Sequence, residues 1–161
     1  MKSKILKLIS VSAPVIILDQ LTKYLVSTIV QVCQSHTVIP GIFDITHIYN
    51  PGGAFGFLAD NGVLVQKIFF IFFSIIAAAF LLYFYFNSEN RKEKVLSVGF
   101  ALIFGGAVGN IIDRIRYGKV LDFLDVYIGN YHWPVFNIAD SAISIGMAIF
   151  IYSLIFKKNE V

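Results

Sequence analysis

The sequence predicts a membrane all-α protein with a small β element: four transmembrane helices, both termini cytoplasmic, and the β element on the outer membrane surface. Three observations predict this. Hydrophobic residues make up 57% of the 161 and charged ones only 14%, where soluble domains carry about 25% charged residues; the mean hydropathy is +0.76. Apolar segments recur at about 5–29, 63–86, 95–112 and 135–156, each near or above the roughly 20 residues that cross a hydrocarbon core. Lys and Arg then gather on one side of the connections. The length leaves room for one domain, 1–161.

The first segment follows Lys2, Lys4 and Lys7. A secretory leader starts the same way, but this stretch is long and lacks a small-x-small cleavage site, so it reads as a retained helix. Pro14 is expected to kink it, which neighbouring helices can absorb. Residues 31–62 form an outer β element: IFDITHIY at 42–49 alternates branched and aromatic residues, with Pro40-Gly41 before it and Asn50-Pro51-Gly52-Gly53 after it as turns. The second segment is almost free of polar groups, and the Gly-rich stretch 52–62 before it suggests a flexible gate. The stretch 113–134 reads as an outer loop joining segments three and four.

Orientation follows from the charges. Arg91, Lys92 and Lys94, with Lys157 and Lys158, fall on the same side as the N-terminal lysines, and so do all three Glu. All seven Asp fall in the outer half. The net charge of +3 does not suit nucleic acid, because the basic residues flank apolar segments without forming a patch; membrane lipids are the expected surroundings. The single Cys33 rules out an internal disulfide framework and a cysteine metal cluster, and no lipobox surrounds it. His36, His47 and His132 share no ligand spacing and read as surface or turn residues. No metal and no cofactor are expected, and there is no HExxH, GxSxG, P-loop or internal repeat.

Polar residues nevertheless enter three of the helices. Asp19, Thr22 and Lys23 lie in the first, Asn110, Asp113 and Arg114 in the third, and Asn137, Asp140 and Ser141 in the fourth. Each set is spaced i, i+3, i+4 and so shares a helical face. Asp19 and Asn110 each lie about 21 Å along their helices at 1.5 Å per residue, and Asn137 and Asp140 open a helix running inward. The three sets converge near the outer hydrocarbon boundary. Ordinary structural roles compete: Asp19–Lys23 as a snorkelling pair, Asp113–Arg114 as a local ion pair, and Gly105-x-x-x-Gly109 as a seam against the fourth helix. These leave Asp140 and Asp122 unexplained, since neither has a basic residue at helical spacing. Charges at such depth cost roughly 2.5–3.5 kcal/mol each and persist mainly where they work or pair.

Two carboxylates in one desolvated site share a proton, so one activates water while the other protonates the carbonyl oxygen or leaving nitrogen. Asp140 is one candidate. Its partner is Asp122 or Asp125, between which spacing does not choose.

GNIIDRIRYGKVLDF at 109–123 and FNIADSAISIG at 136–146, with DQLTK at 19–23 and YNPGGAFG at 49–56, closely resemble the lipoprotein signal peptidase (signal peptidase II) family. The four motifs stand in the family's order and span nearly the whole chain. The resemblance implies an aspartic intramembrane endopeptidase of the bacterial cytoplasmic (inner) membrane, its active site near the outer face. It would cleave diacylglyceryl-modified prolipoproteins on the amino side of the modified cysteine, as a monomer. It further implies Asp122 and Asp140 as the catalytic pair. Asp19, Lys23, Asn50, Gly53, Asn110, Asp113, Arg114 and Asn137 would be supporting or substrate-contacting, and the strand at 42–49 part of a β-cradle. Where the family often has one Gly or Asn-Gly after the loop asparagine, this chain has Pro51-Gly52-Gly53. A different class of function, a four-helix proton- or cation-coupled carrier, predicts carboxylates at the midplane and inverted repeats. A scaffold subunit would explain the Gly105/Gly109 spacing but not the Asp pair.

Overall fold

The structure, a computed structural model, describes residues 2–52, 63–87 and 94–156. In chain order they form α1 (Lys2–Ile29), β1 (Ser35–Ile39), β2 (Phe43–Asn50), α2 (Val63–Asn87), α3 (Lys94–Tyr117), β3 (Val120–Ile128), β4 (Tyr131–His132) and α4 (Ile138–Phe156). Three of these helices, α1, α2 and α3, are long and apolar enough to cross a membrane, and Ile138–Ser153 of α4 forms a shorter apolar helix. Side chains such as Phe72, Phe73, Phe80 and Tyr83 stand exposed along α2. An apolar surface of this extent suits lipid, not water. The chain is an integral membrane protein.

α3 is the central helix, packed against α1, α2 and α4. Small residues permit the close approach. A Cβ at Gly106 would run into the Ala139 carbonyl oxygen and stand 2.8 Å from Ile143 Cγ1, both on α4. Gly105 and Gly109 face the other way: a Cβ on Gly105 would meet Ser12 at 3.0 Å, and one on Gly109 the Asp19 carboxylate at 2.6 Å. The Gly105/Gly109 seam therefore joins α3 mainly to α1. The expected seam against α4 is made instead by Gly106, one residue along and so on another helical face. At one end of the bundle Leu8, Tyr85, Phe100 and Ala101 form a core; at the other, Val26, Leu121 and Phe123 pack with Ile45, Tyr49 and Ile138.

That second core carries an antiparallel sheet in the order β1-β2-β3-β4. The expected strand at 42–49 is β2, and Gly41, at φ 79°, makes the tight turn before it. The expected loop at 113–134 is a correction. α3 runs on to Tyr117, and VLDFLDVYI at 120–128 is a strand paired with β2. Its alternation is hidden because Val120, Leu121, Asp122 and Phe123 are all buried, one side against the helices and the other within the site. α4 starts at Ile138 and not near 135. Gly53 and the gate proposed at 52–62 lie outside the described residues, save for Gly52.

Replacing Gly106 by Val should cost about 1–3 kcal/mol through overpacking, read as a lower thermal unfolding midpoint in detergent. Phe72→Leu, on the exposed face of α2, should leave the midpoint nearly unchanged. An equal response of the two variants would contradict the α3–α4 packing.

Candidate active site

The end of the bundle beneath the sheet collects the polar residues of α1, α3 and α4 into one network. Lys23 Nζ lies 2.9 Å from Asp19 Oδ2, 2.8 Å from Asp113 Oδ2 and 3.1 Å from Asn110 Oδ1. An ammonium has three donors, and all three are used. Asp113 thus pairs across helices with Lys23, and not locally with Arg114. Its carboxylate also accepts from the Leu121 backbone N–H at 3.2 Å, which ties α3 to the start of β3. Asp19, fully buried, accepts from the Ala139 backbone N–H at 2.9 Å. That amide belongs to the first turn of α4, where N–H groups lack helical partners and the helix dipole favours an anion.

Asn137 precedes α4 and caps it. Its Oδ1 accepts from the Asp140 N–H at 2.9 Å, and Asp140 Oδ2 accepts from the Asn137 N–H at 3.3 Å. This is a reciprocal capping box, with an aspartate in the place usual for Glu or Gln. Asn110 Nδ2 donates to the other oxygen of Asp140 at 2.8 Å. Asn137 Nδ2 donates to Asp122 Oδ1 at 2.6 Å, and Asn50 Nδ2 donates to Asp122 Oδ2 at 2.9 Å. Asn50 pairs with Val120 across β2 and β3, so Asp122 is its diagonal neighbour, within reach of a side-chain bond. Its own Oδ1 accepts from the Gly52 N–H at 2.9 Å, which orients the amide. Asp122 and Asp140 are therefore joined through a single residue, Asn137.

The two carboxylates differ in environment. Asp122 is 3% exposed, and burial pushes its carboxyl up to about 6. The neighbouring charge of Asp140 pushes the same way, while the amides of Asn50 and Asn137 and the Lys23 charge oppose it. Asp140 is half-buried and borders an open cavity of about 510 Å³ lined also by Trp133, Phe136, Ser141 and Ser144. Arg114 sits over the Phe70 ring, 5.8 Å from its centroid, and donates weakly to the Asn110 carbonyl at 3.4 Å. Its buried Nε has no acceptor among the described residues.

Asp125 lies elsewhere. Its carboxylate meets His132 Nδ1 at 2.9 and 3.1 Å, so Asp122 is the one that stands beside Asn50 and Asn137. Thr22 donates only to carbonyls of its own helix and Ser141 only to the Asn137 carbonyl, so neither reaches a carboxylate of the network. His36 is exposed, but His47 is a correction to the expected surface histidines: it is buried, with Nδ1 2.7 Å from the Val30 carbonyl. Among the described residues no group of three His, Cys, Asp or Glu side chains is arranged to hold a metal ion.

The model of the signal peptidase (SPase) II family matches residues 11–156. The chain belongs to the signal peptidase II family. It is 52% identical over 154 residues to the lipoprotein signal peptidase of Desulforapulum autotrophicum, covering 96% of this chain and 94% of that one. With the lipoprotein signal peptidase of Syntrophus aciditrophicus it shares 45% identity over 99% of both chains. A solved bacterial membrane enzyme, determined by the in meso method at 1.9 Å resolution, superposes with a TM-score of 0.82 at 36% identity, covering 99% of this chain and 96% of that one. The motifs read from the sequence thus mark a true family member.

Gln20 is a network residue that sequence reasoning missed. Its Nε2 lies 2.9 Å from Asp113 Oδ1 and 3.2 Å from both Asp19 Oδ2 and the Gly109 carbonyl. An amide beside an aspartate in an apolar run was the available signal.

Lys23→Met leaves two buried carboxylates without their cation, a change that costs about 3–5 kcal/mol. Its thermal unfolding midpoint in detergent should fall steeply, and adding Asp19→Asn and Asp113→Asn should recover much of the loss. Wild-type stability in the single variant would contradict the network.

Proposed function

We propose that this member of the signal peptidase II family removes the signal peptide from bacterial prolipoproteins by aspartic catalysis. It cuts on the amino side of the diacylglyceryl-modified cysteine. The observation that carries the reading is the shared amide: Asn137 holds Asp122 and caps the helix turn bearing Asp140. Burial favours Asp122 as the proton carrier, and Asp140 faces the open cavity as the base. Asp140 takes a proton from water, which attacks the scissile carbonyl carbon, while Asp122 gives its proton to the carbonyl oxygen. As the tetrahedral intermediate collapses, Asp140 gives its proton to the leaving nitrogen and Asp122 regains one from the intermediate's hydroxyl. The Arg114 Nε, without an acceptor among the described residues, donates to a substrate carbonyl, and the Asn50 and Asn110 amides align the extended peptide. No metal or other cofactor enters this scheme.

The same reading sets the topology. The polypeptide is one domain whose four helices all span, with both termini in the cytoplasm and the sheet on the outer surface of the cytoplasmic membrane. At about 1.5 Å per residue, the 19 residues of α4 extend roughly 28 Å, close to the hydrocarbon thickness of about 30 Å. The positive-inside distribution supports the orientation. The enzyme acts as a monomer among membrane lipids and does not engage nucleic acid. A carrier would place its carboxylates near the midplane, whereas these meet at the sheet end of the bundle.

Purified protein given a diacylglyceryl-modified prolipoprotein should release the signal peptide, followed by gel shift. Asp122→Asn and Asp140→Asn should each lower the rate by about 10²–10⁴-fold, the usual worth of acid–base groups. Full cleavage by either variant would exclude the dyad. The pH profile follows from the raised carboxyl of Asp122: kcat/KM should fall as pH rises through about 6, where the free enzyme loses the shared proton. Asn50 stabilises the ionised form of Asp122, so Asn50→Ala should move this limb to higher pH. A shift to lower pH would contradict the assignment.

A further inference from the structure

We infer that the groove between α1 and α3, at the end of the bundle away from the sheet, binds one membrane phospholipid with a negatively charged headgroup. The groove is an open cavity of about 350 Å³ lined by Lys7, Ser10, Val11, Ser97 and Val98. It opens below the point where Gly105 lies against Ser12 and Val15. Val11 and Val98 give it an apolar wall suited to an acyl chain, and on each helix the polar lining residues precede the valine.

Lys7 supplies the charge. It is exposed, and among the described residues its ammonium enters no ion pair. Lys4 differs, because its Nζ donates to the Phe86 carbonyl at 2.9 Å and holds α1 to α2. Depth fits a phosphate. Lys7 precedes Lys23 by sixteen residues, about 24 Å along the helix at 1.5 Å per residue. With the Lys23 network at one hydrocarbon boundary, Lys7 stands near the other in a core of about 30 Å. Lipid phosphates lie there, and a lysine stem reaches them by snorkelling.

Ser97 brings a half-buried hydroxyl to the same cavity from α3, a second donor for phosphate oxygen. Pro14 adds an acceptor. Lying inside α1, it has no N–H to return to the Ser10 carbonyl, and Ser10 lines the groove. Its hydroxyl is already committed, donating to the Lys7 carbonyl at 3.0 Å, so the freed carbonyl is the group open to a headgroup hydroxyl. Cation, hydroxyl donor and carbonyl acceptor together match a phosphate ester bearing a polyol, above an apolar slot for its chain. The inference does not depend on the catalytic reading, since the groove contains none of its residues.

Native mass spectrometry of the full-length protein in detergent tests it, with phosphatidylglycerol, phosphatidylcholine of the same acyl chains, and chain-free glycerol phosphate as probes. Wild type should retain one phosphatidylglycerol about fivefold better than phosphatidylcholine, the worth of one lysine near an anionic headgroup. Lys7→Gln should abolish the preference, Lys2→Gln should keep it, and Ser97→Leu, which fills the slot, should weaken retention of both lipids. Glycerol phosphate should not be retained. Equal retention of the two lipids, an unchanged preference in Lys7→Gln, or retention of glycerol phosphate like that of the lipid would overturn the inference. A cleavage rate unchanged in Lys7→Gln is expected and keeps this test separate from that of the dyad.

Discussion

Only 4% of the Lys23 surface is exposed, and the arrangement of the site follows from satisfying its amine. Sealing an ammonium away from water costs several kcal/mol unless every donor is met. Meeting them draws in Asp19 from the same helix and Asp113 and Asn110 from α3. Each partner then has groups left over, and these reach further. The second oxygen of Asp19 holds the first turn of α4, Asp113 holds the Leu121 N–H at the start of β3, and the Asn110 amide holds Asp140. One buried cation thereby sets the register of three helices and a strand. The glycines of α3 belong to the same constraint, since a Cβ at Gly109 would fill the space the Asp19 carboxylate occupies.

Unequal environments for two otherwise identical carboxylates are the second consequence. Asp122 projects from a strand whose neighbours are all buried, whereas Asp140 sits on the first turn of a helix at the edge of a cavity. Desolvation acts strongly on the first, and the capping box fixes the second by a bond to its own helix start. Both are oriented by amides and not by a further ion pair. The amides of Asn50 and Asn137 hold the Asp122 carboxylate in place and oppose the rise that burial imposes on it.

Much of this was legible in the sequence because a helix converts spacing into direction. Asp19, Lys23, Asn110, Asp113, Asn137 and Asp140 could be placed in one layer from the 3.6-residue period and the rise per residue alone. Asp122 could not, since it lies on a strand to which neither argument applies, and only the motif resemblance separated it from Asp125. Cross-helix choices were also hidden. Spacing offers Arg114 as the neighbour of Asp113, yet the partner is Lys23, because that charge is sealed inside the bundle while Arg114 turns toward Phe70. In the same way Gly105 and Gly109 announced a close contact but not its partner: the seam expected against α4 is filled mainly by α1. The β3 strand escaped notice because burial on both faces erases the alternation by which strands are read.

We propose that burial holds a proton on Asp122 up to a pH of about 6. Infrared titration of the protonated carboxyl band in the purified protein addresses it directly. A band present in wild type that disappears as pH rises through about 6, and is missing from Asp122→Asn, is the result the account predicts. A band that survives in Asp122→Asn and is lost in Asp140→Asn would contradict it.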